Sequence, residues 1–436
     1  LLMTTVSLSP STRSYRPFLA SLALLLALLL QPGRSNAYWQ QHVSYDIRVT
    51  LNDATHTLDG TESILYSNHS PDTLREIYIH LYYNAFEPGS MMDVRARAIH
   101  ASPVQDRIAH LSASEQGHYW INEVSVDGAK ASFEITGTVL HATLPQALLP
   151  GGTAKISLPF RVRIPRQTRR GGWMTPEGVE YSMAQWYPKL AEYDVEGWHR
   201  QEYVSHEFFG VWGDYHVEIT LPKRFTVGAS GHCENPQEVG HGYEQIAAGQ
   251  KQGLVTPGTG EEMLTWKFNA SPVHDFAWVA DDHYVHEWKT WQDTVIIHAL
   301  YKDRFRFFWE KNALNYSVSS LQTYSDTFGH YPYHDFSTTM AGDGGMEYPQ
   351  LIQITGARLS PLSLSGVIAH EIAHQWFYGL LGSNETREAF MDEGFTTYAT
   401  TIAMNAMFGD EQRVPGQQRS WLDGFLPSFS NKSGNY

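Results

Sequence analysis

From Tyr38 to about Asp282, apolar and polar residues alternate in short runs. VSYDIRVTL (Val43–Leu51), REIYIHLYY (Arg75–Tyr83), AKISLPFRVRI (Ala154–Ile164) and YHVEITLP (Tyr215–Pro222) all carry the two-residue period of strands with one buried face. Gly, Pro, Asn and Asp punctuate them, which predicts antiparallel, sandwich-like sheet. GHGYEQIAAGQKQG (Gly240–Gly253) reads as a surface loop. After about Thr290 the period changes. Thr294–Tyr301 reads as a strand, and Asp303–Phe328 has helical spacing that Gly329 stops. Phe336–Gly342 is strand-like. Ser363–Gly382 predicts a helix capped by Ser363 or Ser365, and Arg387–Met407 a further one. The pattern therefore divides the chain into a β-rich domain over 38–285 and an α+β domain over 286–436 that becomes helical.

Residues 1–37 stand apart. Arg13 and Arg16 precede a uniformly apolar run, Phe18–Leu30, then Pro32, Gly33 and the small residues of Ser35–Ala37. The run is short for a membrane span and suits a cleaved signal peptide, with the mature chain starting near Tyr38; an uncleaved anchor is the alternative. The two leucines before Met3 point to translation from upstream of the true start.

Composition narrows the class. Of 436 residues, 42% are hydrophobic and 18% charged, as in a folded globular protein. The net charge of -15 argues against a general nucleic-acid binder. Cys233 is the only cysteine, which excludes an intrachain disulfide and a cysteine-rich metal cluster. A leader without disulfides predicts an exported protein, periplasmic, in the cell envelope or secreted.

The chemistry concentrates in HEIAHQWF (His370–Phe377). His370 and His374 are four apart, so a helix projects both from one face, where two imidazoles can hold one zinc ion. Glu371 can act on a water beside the metal without being a ligand. The flanks are apolar (Val367, Ile368, Ala369, Ile372, Ala373, Trp376, Phe377), and three unpaired polar side chains buried among them would be costly without a metal. Glu393 follows in EAFMDEGFTTYAT after eighteen intervening residues, room for a turn and a returning helix that presents a third ligand. The competing interpretation is a buried helix with a coincidental motif. No GxSxG elbow, Walker loop or CxxC pair occurs. The other histidines are dispersed and read as structural, and the Met and Trp residues as core.

HEIAHQWF followed by DEGFTTYAT, with GGMEYP (Gly344–Pro349) upstream, resembles the gluzincin aminopeptidases of the membrane alanyl aminopeptidase type. QWYPKLAEYDVEGWHRQEY (Gln185–Tyr203) and YHVEITLPKRFTVGASG are similar to that family's N-terminal β-domain. The resemblance implies a multidomain chain, a β-sandwich-like domain followed by a thermolysin-like zinc-peptidase domain. It implies one Zn2+ on His370, His374 and Glu393, with Glu371 as general base. Glu347 would bind the α-ammonium of the substrate, Gly344 and Gly345 would offer backbone to the peptide, and Gln185 would contact the amine from the β-domain. The implied partners are peptides with a free N-terminus, with no nucleic acid and no stable membrane span once the leader is cleaved. Tyr348 departs from the commoner pattern, which has Asn there. The family's oxyanion-stabilising tyrosine is expected beyond the end of the chain, or at Tyr436 if the intervening segment is short. The family's C-terminal helical domain is absent too, so a fragment of a longer protein, inactive alone, is the expectation. Other readings are epoxide hydrolysis or endopeptidase action at the same zinc, or a non-catalytic peptide-binding scaffold.

Overall fold

The alternation in Val43–Leu51 becomes the strand His42–Asn52, whose Val43, Tyr45, Ile47, Val49 and Leu51 are all buried while the residues between them face outward. The computed structural model describes residues 38–99, 102–256, 258–356 and 360–409. Leu1–Trp39 forms a unit of its own, of which Tyr38 and Trp39 are described; Gln40–Tyr436 forms the other. The leader and Tyr436 lie outside the described residues. Among those described, no helix is long and apolar enough to cross a membrane.

His42–Asn52 lies inside a nine-stranded sheet. It pairs antiparallel with Thr57–Ser67 and parallel with Gly213–Pro222. Thr153–Arg163 continues one side, and Met263–Val273 with the edge strand His232–Cys233 closes the other. Two four-stranded sheets accompany it. One holds Leu74–His80 and Val139–Leu148; the other holds Tyr181–Met183 and Trp278–Asp281. The segment Gly240–Gly253 is not a plain loop. Tyr243–Ala247 forms a short helix, and Gln252–Val255 pairs with Tyr284–Trp291. Tyr243 is buried and donates to the Val227 carbonyl, a tertiary anchor that Gly-rich composition conceals.

The later part is built on a six-stranded mixed sheet ordered Gln252–Val255, Tyr284–Trp291, Val295–Lys302, Asp335–Met340, Leu351–Ile354, Gly345–Met346. Its central strand, Asp335–Met340, is buried at every residue and pairs in parallel on both sides, so a crossover must feed it. That crossover is helix α1, Asn312–Phe328, which ends at Gly329. The helical spacing begins earlier, at Asp303, but the chain breaks at Glu310–Lys311, where Lys311 takes φ 62°.

Helix α2 spans Pro361–Ala373 and packs on α1 and on α3, Phe395–Phe408. Its N-cap is Ser360 rather than Ser363 or Ser365. Ser360 Oγ accepts from the Ser363 N–H at 3.1 Å, and Pro361 occupies the first turn, where its missing donor costs nothing. Regular α-helix stops at Ala373, well before Gly382. Beyond it, Gly379 N–H and Leu381 N–H reach back five residues to the carbonyls of His374 and Trp376. The predicted helix from Arg387 also differs. Phe390–Gly394 is a π-helical turn that leads into α3. Such turns are frequent at functional sites.

Candidate metal centre

His370 and His374 project from the last turn of α2, and the π-turn brings Glu393 onto them. His370 Nε2 lies 3.2 Å from Glu393 Oε2, His374 Nε2 lies 3.8 Å from the same oxygen, and the two Nε2 atoms are 3.3 Å apart. Three donors on a tetrahedral zinc, with bonds of about 2.0–2.2 Å, stand about 3.3–3.6 Å from each other. The triangle here has those edges within a few tenths of an ångström.

The donors are held from behind. Asp392, adjacent to Glu393 and fully buried, sits 2.6 Å from His374 Nδ1, and Thr396 Oγ1 lies 3.1 Å from the same nitrogen. Thr400 Oγ1 lies 3.4 Å from His370 Nδ1. Outer partners of this kind set which ring nitrogen faces the metal. Burial opposes a charge on His374, yet the carboxylates of Glu347, Asp392 and Glu393 outweigh it and raise its pKa. Burial would push Glu393 up, but His370 and His374 hold it down at about 2. A half-buried site with two imidazoles and this excess of carboxylate is a site for a cation, and the N2O donor set fits zinc.

Glu371 is buried on the same face, and burial raises its pKa against the pull of both histidines. It faces Gly345 closely: a Cβ on Gly345 would stand 2.0 Å from Glu371 Oε1. Gly344 has φ +97°, a conformation that favours glycine. The carbonyl of Gly344 accepts from Thr355 N–H and that of Gly345 from Arg170 Nη1, so both already have internal partners.

Glu347 follows on the same short strand-turn. It is buried, and together with His374 and Asp392 it places a ligand atom in a group that lies within 4.8 Å. Among the described residues nothing donates a hydrogen bond to its carboxylate. Burial raises its pKa, and Glu207, Asp392 and Glu371 add to the rise while His374 opposes it. Gln375, the residue after His374, fixes this turn. Its Oε1 accepts from Gln350 N–H at 2.8 Å and its Nε2 donates to the Tyr348 carbonyl at 3.1 Å.

Gln185 enters from the β-rich part. Its Oε1 accepts from the Tyr348 hydroxyl at 2.7 Å, and its Nε2 donates to Asp275 at 3.3 Å. Tyr348 thus connects the turn carrying Glu347 to Gln185, and through it to the buried Lys189–Asp275 ion pair. Sequence reasoning passed over Asp392, Thr396, Thr400, Arg170 and Glu207. Asp392 was adjacent to a proposed ligand, which is a usable signal. Arg170, paired with Glu207 and bonded to Gly345, carried none.

Comparisons with known proteins give these similarities. Residues 312–426 match the model of the Peptidase family M1 domain. A stretch of 67 residues is 42% identical to aminopeptidase B of Rattus norvegicus, covering 15% of this chain and 10% of that protein. A stretch of 72 residues is 44% identical to leukotriene A-4 hydrolase of Xenopus laevis, covering 16% and 12%. The match thus spans only about a tenth of the length of these relatives. The crystal structure of an M1 zinc metallopeptidase from Deinococcus radiodurans has TM-score 0.53 at 18% identity, covering 86% of this chain and 72% of that one. A mutant of that enzyme bound to Tyr-Ser-Ala gives 0.54 at 16%, covering 91% and 75%. The β-rich part followed by a mixed-sheet and helical part is the fold of these metallopeptidases.

Proposed function

We propose that the protein is a zinc-dependent aminopeptidase that removes the N-terminal residue of peptides. The observation that carries this reading is a three-donor cation site beside Glu347, a buried carboxylate with no hydrogen-bond donor of its own among the described residues. A desolvated carboxylate is costly until a cation meets it. The α-ammonium of a peptide supplies that cation and places the first peptide bond next to the histidines.

Bound zinc would polarise the scissile carbonyl and make an adjacent water acidic. Glu371 accepts the proton of the attacking water and passes it to the leaving amine. Its raised pKa suits a group that must hold a proton between those two events. Asp392 and Thr396 keep His374 Nε2 turned toward the site. Gln375 holds Glu347 at a set distance from the histidines, because both hang from the end of α2. Gln185 braces Tyr348, and we assign it to the amine side of the site. Zinc donors then come from the domain after about residue 285, and Arg170, Gln185 and Glu207 from the β-rich domain before it. The apolar run Phe18–Leu30 and the lone Cys233 support a chain exported from the cytoplasm.

The test is metal analysis with hydrolysis of aminoacyl-arylamides, with and without chelator, against the same substrates blocked at the N-terminus. Zinc with cleavage of the free substrates alone is expected. Zinc with cleavage of blocked peptides would make Glu347 idle and the enzyme an endopeptidase. A chain without zinc would leave a peptide-binding scaffold.

A further inference from the structure

Histidines scattered along the sequence, and read there as unrelated, meet around one carboxylate. Asp335 opens the central strand of the six-stranded sheet and is 5% exposed. Its Oδ2 accepts from His232 Nδ1 at 2.9 Å and from His334 Nδ1 at 2.8 Å, and its Oδ1 faces His298 Nε2 at 3.2 Å. Behind His298 stands His286, with His298 Nδ1 and His286 Nε2 2.9 Å apart, and His286 Nδ1 meets the His241 carbonyl at 2.8 Å. A carbonyl only accepts, so His286 Nδ1 carries the proton. Burial takes the His286 ring down to about 3, so the ring is neutral and its Nε2 accepts from His298 Nδ1. The other nitrogen of His298, Nε2, faces Asp335 Oδ1, and it donates to that carboxylate when the ring carries both protons.

We propose that His232, His334 and Asp335 form a second divalent-metal site, sharing no residue with the His370, His374 and Glu393 centre. Their ligand atoms lie within 4.8 Å of one another. Two imidazoles and a carboxylate suit zinc and its neighbours among the first-row metals. The His232 and His334 side chains are 52% and 59% exposed, so an ion has access and both rings can move. Opening the present nitrogen–oxygen contacts to the roughly 3.3 Å that a tetrahedral ion requires takes only a few tenths of an ångström. Each ring clears the Nδ1 that now donates to Asp335: a neutral ring takes the proton up on its own Nε2 by exchange with solvent, and a doubly protonated ring releases it to solvent. The buried His298–His286 relay orients the carboxylate from behind, as outer partners do in metal sites. His232 belongs to the edge strand of the nine-stranded sheet, and His334 and Asp335 lead into the six-stranded one. An ion here staples the two sheets.

Equilibrium dialysis against Zn2+, followed by metal analysis, tests this. The wild-type protein is expected to hold two zinc ions, and His232→Ala/His334→Ala and His370→Ala one each. Zinc should also raise the Tm of His370→Ala, and leave that of the triple variant unchanged. A single wild-type equivalent, lost in His370→Ala and kept in His232→Ala/His334→Ala, overturns the second site and leaves the proposed catalytic zinc standing. A single equivalent with the reverse pattern supports the staple and sinks the catalytic assignment. Two equivalents retained in the double variant also overturn it. If the double variant does not fold, the wild-type count and single His334→Gln decide.

Discussion

Asp392 Oδ1 stands 2.6 Å from His374 Nδ1, with both side chains at most 1% exposed. The pair turns the opposite nitrogen of His374 toward Glu393 and His370. Asp392→Asn keeps the shape and removes the charge. Zinc affinity or turnover should fall about 10–100-fold, as for other outer partners of metal-binding histidines. Unchanged zinc affinity and turnover would reduce Asp392 to a packing residue.

Gly345→Ala tests the contact between the GGMEYP turn and the base. The added methyl would stand 2.0 Å from Glu371 Oε1, so the carboxylate or the turn must shift. A shift of an ångström at a reacting group costs on the order of 100-fold. Turnover should therefore drop by about that factor while the zinc content stays constant. Wild-type kinetics in this variant would show that Glu371 does not need this position.

The Lys189–Asp275 pair is an ion pair of 2.9 Å with both side chains at most 2% exposed. Asp275 also accepts from Tyr187, Gln185 and the Phe276 N–H. Lys189→Met leaves a buried, uncompensated carboxylate and should cost about 3–5 kcal/mol in urea unfolding. A loss below about 1 kcal/mol would mean that Asp275 is satisfied by its neutral partners alone.

Glu62 gives a pH-dependent prediction far from the site. It is 2% exposed, both oxygens lack a hydrogen-bond partner among the described residues, and burial raises its pKa well above the ordinary value. With the folded pKa above the unfolded one, its contribution is intact below about pH 4.3 and is lost as pH rises toward the folded value. The Tm advantage of Glu62→Gln over wild type should therefore grow between pH 5 and pH 8. A difference that stays flat with pH would show that Glu62 is charged in the fold.

The parts of the centre legible in the sequence are those set by local geometry. His370, Glu371 and His374 follow from helical spacing, and Glu393 from the length of a returning turn. The long strands were legible because one face of each is buried. The end of α2 and the start of α3 were not. Hydrogen bonds reaching back five residues and the π-turn obey tertiary contacts that no periodicity announces. Gln185 and Tyr348 meet across 163 residues, and Asp335 and His232 across 103; the packing of separate sheets against one another brings such pairs together, and no local pattern announces it. Ser360 was passed over as a cap although Pro361 after it is a usual sign of a helix start.

The most direct measurement is turnover and zinc content of Glu371→Gln beside the wild type, on a substrate with a free N-terminus. Zinc should remain bound, because Glu371 is not among the three donors, and turnover should fall by at least about 100- to 10,000-fold, the range for loss of a general base. A zinc-loaded Glu371→Gln protein with near-wild-type turnover would contradict the proposed chemistry.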